Sequence, residues 1–326
     1  MNSLHHAPIE SAGVTRRRFI AATLAAVPGL GAAAPDTPTA IDAHTHFYDP
    51  ARPGGIAWPG KDDAALYRRA MPEDFKKLAE PLGIAGTVVI EASPVIADNQ
   101  WLLELAAREP FILGVVGFLK PGRAGFADDL QRFAASAKFR GIRVGGWDGP
   151  VQGPDTPFGK DLRLIAERDL ALDVMTDAAR LPLVVALAAA MPSLRIVINH
   201  CAGVRFDGQS PPATWRDAIR ACAPHANVFV KVSALVESVG PRGADIPADI
   251  AHYRAPLDVM WDSFGEDRLV FGSNWPVSAP FAPLALVHRL PADFARSKGA
   301  SALAKLLAAN ARRAYKLPSQ PAPVSK

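Results

Sequence analysis

Gly86-Thr87-Val88-Val89-Ile90-Glu91-Ala92 is a β-branched apolar run that ends at a carboxylate. A strand with one wet face alternates apolar and polar residues. This one does not, so both of its faces are expected to be covered, as in the parallel sheets of α/β proteins. Ile112 to Val116 and Ile196-Val197-Ile198 read the same way. Outward from these, short runs of this kind recur at a spacing of about 25 to 40 residues, over 39–44, 86–92, 112–119, 141–145, 171–176, 195–199, 227–233 and 268–272. The stretches between them predict helices over 72–82, 98–108, 125–137, 159–168, 181–191, 214–223 and 249–264, with another at 302–315. Pro72 suits a first turn with Glu73 and Asp74 behind it, and Asp98 can cap the helix carrying Trp101, Leu102 and Leu105. Eight βα units follow, with no Gly-x-Gly-x-x-Gly or phosphate-loop signature after any strand. They predict an α/β chain closed into a single (β/α)8 barrel, in preference to an open doubly wound sheet.

With 326 residues, 49% of them hydrophobic, the chain can bury the core of one large domain, expected over residues 35–318. Its 36 basic and 32 acidic residues are scattered, which gives no nucleic-acid footprint. Of the formal charge of +4, residues 1–34 supply +2, from three Arg and one Glu, leaving +2 for the remainder. Cys201 and Cys222 are too few for a disulfide framework and lack the paired spacing of a structural zinc site, so they read as buried thiols.

Thr15-Arg16-Arg17-Arg18-Phe19-Ile20 opens an apolar stretch that closes on Gly31, Ala32, Ala33 and Ala34. Residues 1–34 therefore read as a twin-arginine signal peptide, cut near Ala33 or Ala34, and the protein as periplasmic. Pro28 and Gly29 break the run, which is shorter than the ~20 residues a spanning helix needs, so no stable membrane anchor is expected after cleavage. Residues 319–326 read as a disordered tail. The segment 47–71, rich in Pro, Gly and Trp, follows the first strand and is expected to cover the barrel mouth.

In such a barrel the chemistry sits at the C-terminal strand ends, so the polar residues closing apolar strands are the candidates. Strand by strand they are Asp42, His44 and His46; Glu91; Arg143; Asp173 and Thr176; His200; Lys231 and Ser233; and Asn274. His44 and His46, two apart on a strand, must point to one side, where two imidazoles can share a metal ion. His200 ends an apolar strand where burial alone would not select a titratable ring. Lys231 points opposite to Val230 and Val232, either into the barrel as an electrostatic stabiliser or outward past the helices. Arg143 suits bidentate anchoring of a substrate carboxylate, or pairing with an acid such as Asp173.

These residues resemble the amidohydrolase-related family, which includes sugar lactonases and the pyrone-dicarboxylate lactonase. The resemblance runs from Ile41 to Leu317. It is carried by Ile41-Asp42-Ala43-His44-Thr45-His46-Phe47, Trp101-Leu102-Leu103, Pro110 to Gly117, Phe139-Arg140-Gly141-Ile142-Arg143, Ile198-Asn199-His200, Lys231-Val232-Ser233 and Phe271-Gly272-Ser273-Asn274-Trp275-Pro276. It implies a TIM barrel, a site lined by His44, His46 and His200, and hydrolysis of a cyclic ester by activated water, with a sugar-derived or anionic lactone as substrate. It also implies an aspartate where this chain has Asn274, and in many members a strand-5 histidine where this chain reads Asp173-Val174-Met175-Thr176. An amide accepts no proton at neutral pH and is a poor metal ligand. Glu91 is the carboxylate placed to compensate, as ligand or as base. The expected site is therefore Glu91, His200 and Asn274 for catalysis, with Arg143, Lys231 and Ser233 on the substrate. His44, His46, Glu91 and His200 would surround a divalent zinc or manganese ion, although both departures count against tight binding. Two other readings remain open: decarboxylation of a conjugated acid, and a periplasmic ligand-binding homologue impaired by Asn274. Carbon dioxide release, or affinity without turnover, separates them. Oligomerisation is left open.

Overall fold

The computed structural model describes residues 39–145 and 156–318. The leader and tail expected from the sequence lie outside them. Eight parallel strands run in chain order around one sheet: β1 (Ala40–Thr45), β2 (Ile84–Ile90), β3 (Ile112–Gly117), β4 (Phe139–Val144), β5 (Ala171–Val174), β6 (Arg195–Ile198), β7 (Val228–Val232) and β8 (Leu269–Phe271). Helices α1 (Pro72–Ala79), α2 (Asp98–Arg108), α3 (Phe126–Ala134), α4 (Pro157–Glu167), α5 (Leu181–Ala190), α6 (Ala213–Cys222), α7 (Arg254–Phe264) and α8 (Leu284–Lys298) surround it. The α/β barrel expected from the strand rhythm is the fold observed.

The continuous apolar runs have the physical cause inferred for them, because each strand is covered twice. Val89, Val115, Ile142 and Ile196 pack outward against the helices, while Ile41, Val88, Ile90, Val116, Val197, Phe229 and Val270 fill the barrel. The chain end plugs the barrel floor. Helix α9 (Ala300–Ala304) continues through a π-helical turn into α10 (Asn310–Tyr315), whose Ala311, Ala314 and Tyr315 join the interior cluster. Arg195 Nε at the start of β6 donates to the Ala314 carbonyl at 2.8 Å, and Asn310 Nδ2 donates to that of Leu269 at the start of β8, also at 2.8 Å.

The ring closes between β1 and the residues just after β8. Asn274 N–H donates to the His44 carbonyl and His46 N–H to that of Trp275, both at 2.8 Å. Ser273 N–H donates to Asp42 Oδ1 at 2.8 Å. Gly272 makes this approach sterically feasible, because a Cβ there would lie 2.7 Å from His44 Cβ. The seam thus carries four of the candidate positions, Asp42, His44, His46 and Asn274, on its own hydrogen bonds.

One helix escaped the sequence reading. α8 follows Pro276, Pro280 and Pro283 and contains Pro291, which lacks an N–H and reads as a breaker. Packing of Val287, Leu290, Phe294 and Ala295 against the barrel holds it. Cys201 and Cys222 are both free and buried. Among the described residues no helix is long and apolar enough to cross a membrane.

Candidate active site

His44 and His46 leave β1 on the same side, ring centroids 5.0 Å apart, and the His200 ring lies 4.4 Å from that of His44. His200 reaches them because the chain turns sharply after β6. His200, Cys201 and Ala202 have φ of 50°, 52° and 51°, the left-handed region, which costs a residue with a Cβ about 1–2 kcal/mol. Trp215 Nε1 braces the turn by donating to the Cys201 carbonyl at 3.0 Å. Ser233, just past β7, meets His200 Nδ1 through Oγ at 2.9 Å. Burial holds all three imidazoles neutral. His46 is pushed down to about 3, and His44 and His200 well below the ordinary histidine value, with the Lys231 charge adding to burial for both.

Lys231 points into the barrel. It is 0% exposed, its Nζ 2.6 Å from Asp173 Oδ2 and 3.0 Å from His44 Nδ1. Tyr315 OH donates to the other Asp173 oxygen at 2.9 Å. Asp173 therefore pairs with Lys231, and the partnership with Arg143 that the sequence also allowed is not formed. The Lys231 ammonium makes its direct contact with the site at the His44 ring. An ammonium has donors only, so His44 Nδ1 accepts and His44 Nε2 carries the hydrogen. That Nε2 is buried and has no partner.

Arg143 on β4 feels Asp173 and Glu91 by charge, and no hydrogen bond to either is found. Glu91, next after β2, is 7% exposed, and burial pushes its carboxyl up to about 7. Its Oε1 accepts from Ser93 N–H at 2.5 Å. The 47–71 segment lies over this side. Trp58 packs edge-on against His46 at 5.3 Å and Tyr48 at 5.5 Å, and Arg52, under Trp101, pairs with Asp98 at 2.5 Å. A small pocket lies among His46, Trp58, Glu91, Ser93 and Trp101.

Asn274 sits in the left-handed region, φ 60°, which Asn tolerates through its short polar side chain. Its amide lies 3.2 Å from His46 Nε2 through Oδ1 and 2.8 Å from Glu237 Oε1 through Nδ2. Glu237 is the site residue the sequence reading missed. Four residues beyond Ser233, it lies in an irregular stretch outside any strand end or helix period. Burial pushes its carboxyl up to about 7, and its Oε2 has no partner.

The four side chains expected to surround a metal do not fit an ion as they stand. Among the described residues no group of three or more His, Cys, Asp or Glu is disposed to hold one. His44 presents a hydrogen where a metal needs a lone pair, and the ammonium behind it repels a dication. Asn274 supplies no carboxylate.

Over residues 41–317 the sequence matches the family described as Amidohydrolase, whose members are typically metal-dependent. It is 34% identical over 246 residues to L-fucono-1,5-lactonase of Burkholderia ambifaria, covering 73% of this chain and 80% of that protein. It is 29% identical over 294 residues to L-fucono-1,5-lactonase of Burkholderia multivorans, covering 85% and 96%. A crystal structure of an amidohydrolase from Burkholderia multivorans with bound zinc superposes with a TM-score of 0.76 at 29% identity, covering 86% of this chain and 99% of that one.

Proposed function

This chain belongs to the amidohydrolase family as a lactonase-like hydrolase, and from that premise we propose that its substrate is the lactone of a sugar acid, opened to the hydroxy acid by water. The observation that carries the reading is the unpartnered His44 Nε2–H, buried between His46 and His200. A buried donor without an acceptor costs about 1–3 kcal/mol, which a lactone carbonyl oxygen would recover. As water adds to the carbonyl carbon, charge develops on that oxygen. The His44 donor then strengthens, with Lys231 behind it and the Arg143 charge nearby. The named relatives supply the substrate class: both are L-fucono-1,5-lactonases.

The proton leaving the attacking water goes to Glu91 in this proposal. Its carboxyl titrates at about 7, close to the optimum for a base working near neutrality, whereas His200 is held too far down. The ring C–O bond then breaks and the leaving alkoxide takes the proton back. Arg143 would hold the carboxylate product or an anionic substituent. No step passes through a metal ion. The zinc-bound relative makes chelator treatment the check on that point.

The test is an acid-release assay of the mature protein against aldono-lactones. Turnover supports the reading; carbon dioxide release from conjugated acids in its place, or binding without turnover, overturns it. Export is proposed from the sequence alone: residues 1–38 fused to a reporter should carry it to the periplasm, and Arg16→Lys with Arg17→Lys should leave it inside.

A further inference from the structure

Asn274 stands between two groups whose hydrogens its amide has to match. His46 Nδ1 is 2.8 Å from the Ile90 carbonyl, which only accepts, so Nδ1 carries the ring hydrogen and Nε2 a lone pair. With the amide oxygen turned to that lone pair at 3.2 Å, two acceptors face each other. Half a turn about the Cβ–Cγ bond exchanges oxygen and nitrogen at almost no steric cost and brings the NH2 onto His46. The amide oxygen then faces Glu237, 2.8 Å away, and itself needs a donor. A carboxylate has none; a carboxylic acid has one.

A second observation agrees. Glu237 Oε2 is buried without a partner, and among the described residues no cation pairs with this side chain. A bare oxygen on a neutral acid costs far less than one on a buried anion. We infer that Glu237 is a positioning residue of the site: as a carboxylic acid it donates to the Asn274 amide oxygen, turning the amide so that its NH2 holds the His46 ring. The two residues together stand where the resemblance implied a single aspartate.

Ionised Glu237 would draw the NH2 to itself and set the amide oxygen against the His46 lone pair, so the site has an alkaline limit. Glu237 titrates at about 7, which puts that limit near neutrality. The titratable groups that feel its charge are Cys201, after β6, and Tyr253, before α7. Burial pushes both up to about 12, so they stay neutral in this range.

The test compares the mature protein with Glu237→Gln, whose amide keeps a donor at every pH, and with Glu237→Ala, which has none. Because the folded Glu237 value lies above the ordinary 4.5, its stabilisation is complete at low pH and is lost as pH rises to about 7. Asp42 and Glu91 titrate in the same interval, so the difference between parent and variant is the readout. Parent and Glu237→Gln should melt together near pH 4.5, with Glu237→Gln higher by about 5–10 °C at pH 8 and Glu237→Ala below the parent at pH 4.5. The His46 ring should give the 15N signature of an Nδ1–H tautomer. A melting gap that does not change with pH, or an Nε2–H signature, overturns the inference. These two measurements need no substrate. A third rests on the lactonase reading: kcat of the parent should fall above pH 7 by about tenfold per unit and that of Glu237→Gln should not. The same fall in the variant overturns the inference, while absence of any lactone turnover counts against the proposed function alone.

Discussion

Two buried polar groups of the barrel treat their hydrogen bonds in opposite ways: the Lys231–Asp173–Tyr315 network towards its floor and the side chains at its mouth. At the floor Lys231, Asp173 and Tyr315 are each 0% exposed, and Lys231 Nζ, both Asp173 oxygens and Tyr315 OH all have partners. At the mouth His44 Nε2, Glu237 Oε2 and the Asn199 amide have none. The His44 ring belongs to both regions, with Nδ1 satisfied from below and Nε2 bare above. Folded proteins leave few buried polar atoms unpaired. A concentration of them beside a saturated network marks where the fold ends and a ligand begins.

The comparison is broken most severely at the floor. Lys231→Met strands the Asp173 carboxylate and should cost about 3–5 kcal/mol of stability in urea denaturation, while Lys231→Met with Asp173→Leu should recover most of it. A single variant as stable as the parent would erase the distinction between the two regions. At the mouth the loss should be in rate. His44→Ala should lower kcat about 10²–10³-fold, the usual effect of removing one oxyanion donor, and lose less stability than Lys231→Met; an equal or greater loss makes His44 a floor residue. A smaller effect sharpens the picture. If Glu91 is the base, activity needs its ionised form, so kcat should fall about tenfold per unit as pH drops below 7. Glu91→Gln should have no such limb, and persistence of the limb would move the base elsewhere. The smallest effect expected is none: dialysis of the purified protein against chelator should leave the lactonase rate where it was, and a loss restored by zinc would mean that the mouth rearranges around an ion.

The floor was harder to read in the sequence than the mouth, and the reason is geometric. A barrel strand is apolar on both faces, so the parity that set Lys231 apart from Val230 and Val232 could not say which face was inside. The mouth was legible where strand ends carry it. His44, His46, His200 and Asn274 each close or follow an apolar run, and the barrel brings three of them into contact and hydrogen-bonds the fourth to His46. Glu237 was not legible, because its place is set by a loop that only the folded barrel bends back. The eight strands were readable because burial dictates their composition, and α8 was hidden by prolines that tertiary packing tolerates.

The seam between β1 and the end of β8 also sets an order in time. His44 and His46 lie early in the chain, yet the groups that hold them, Ser273, Asn274 and Trp275, come more than two hundred residues later. A chain that stops short of residue 273 lacks the groups that complete the site, however much of the rest it contains. Catalytic competence thus arrives only once the barrel has been closed.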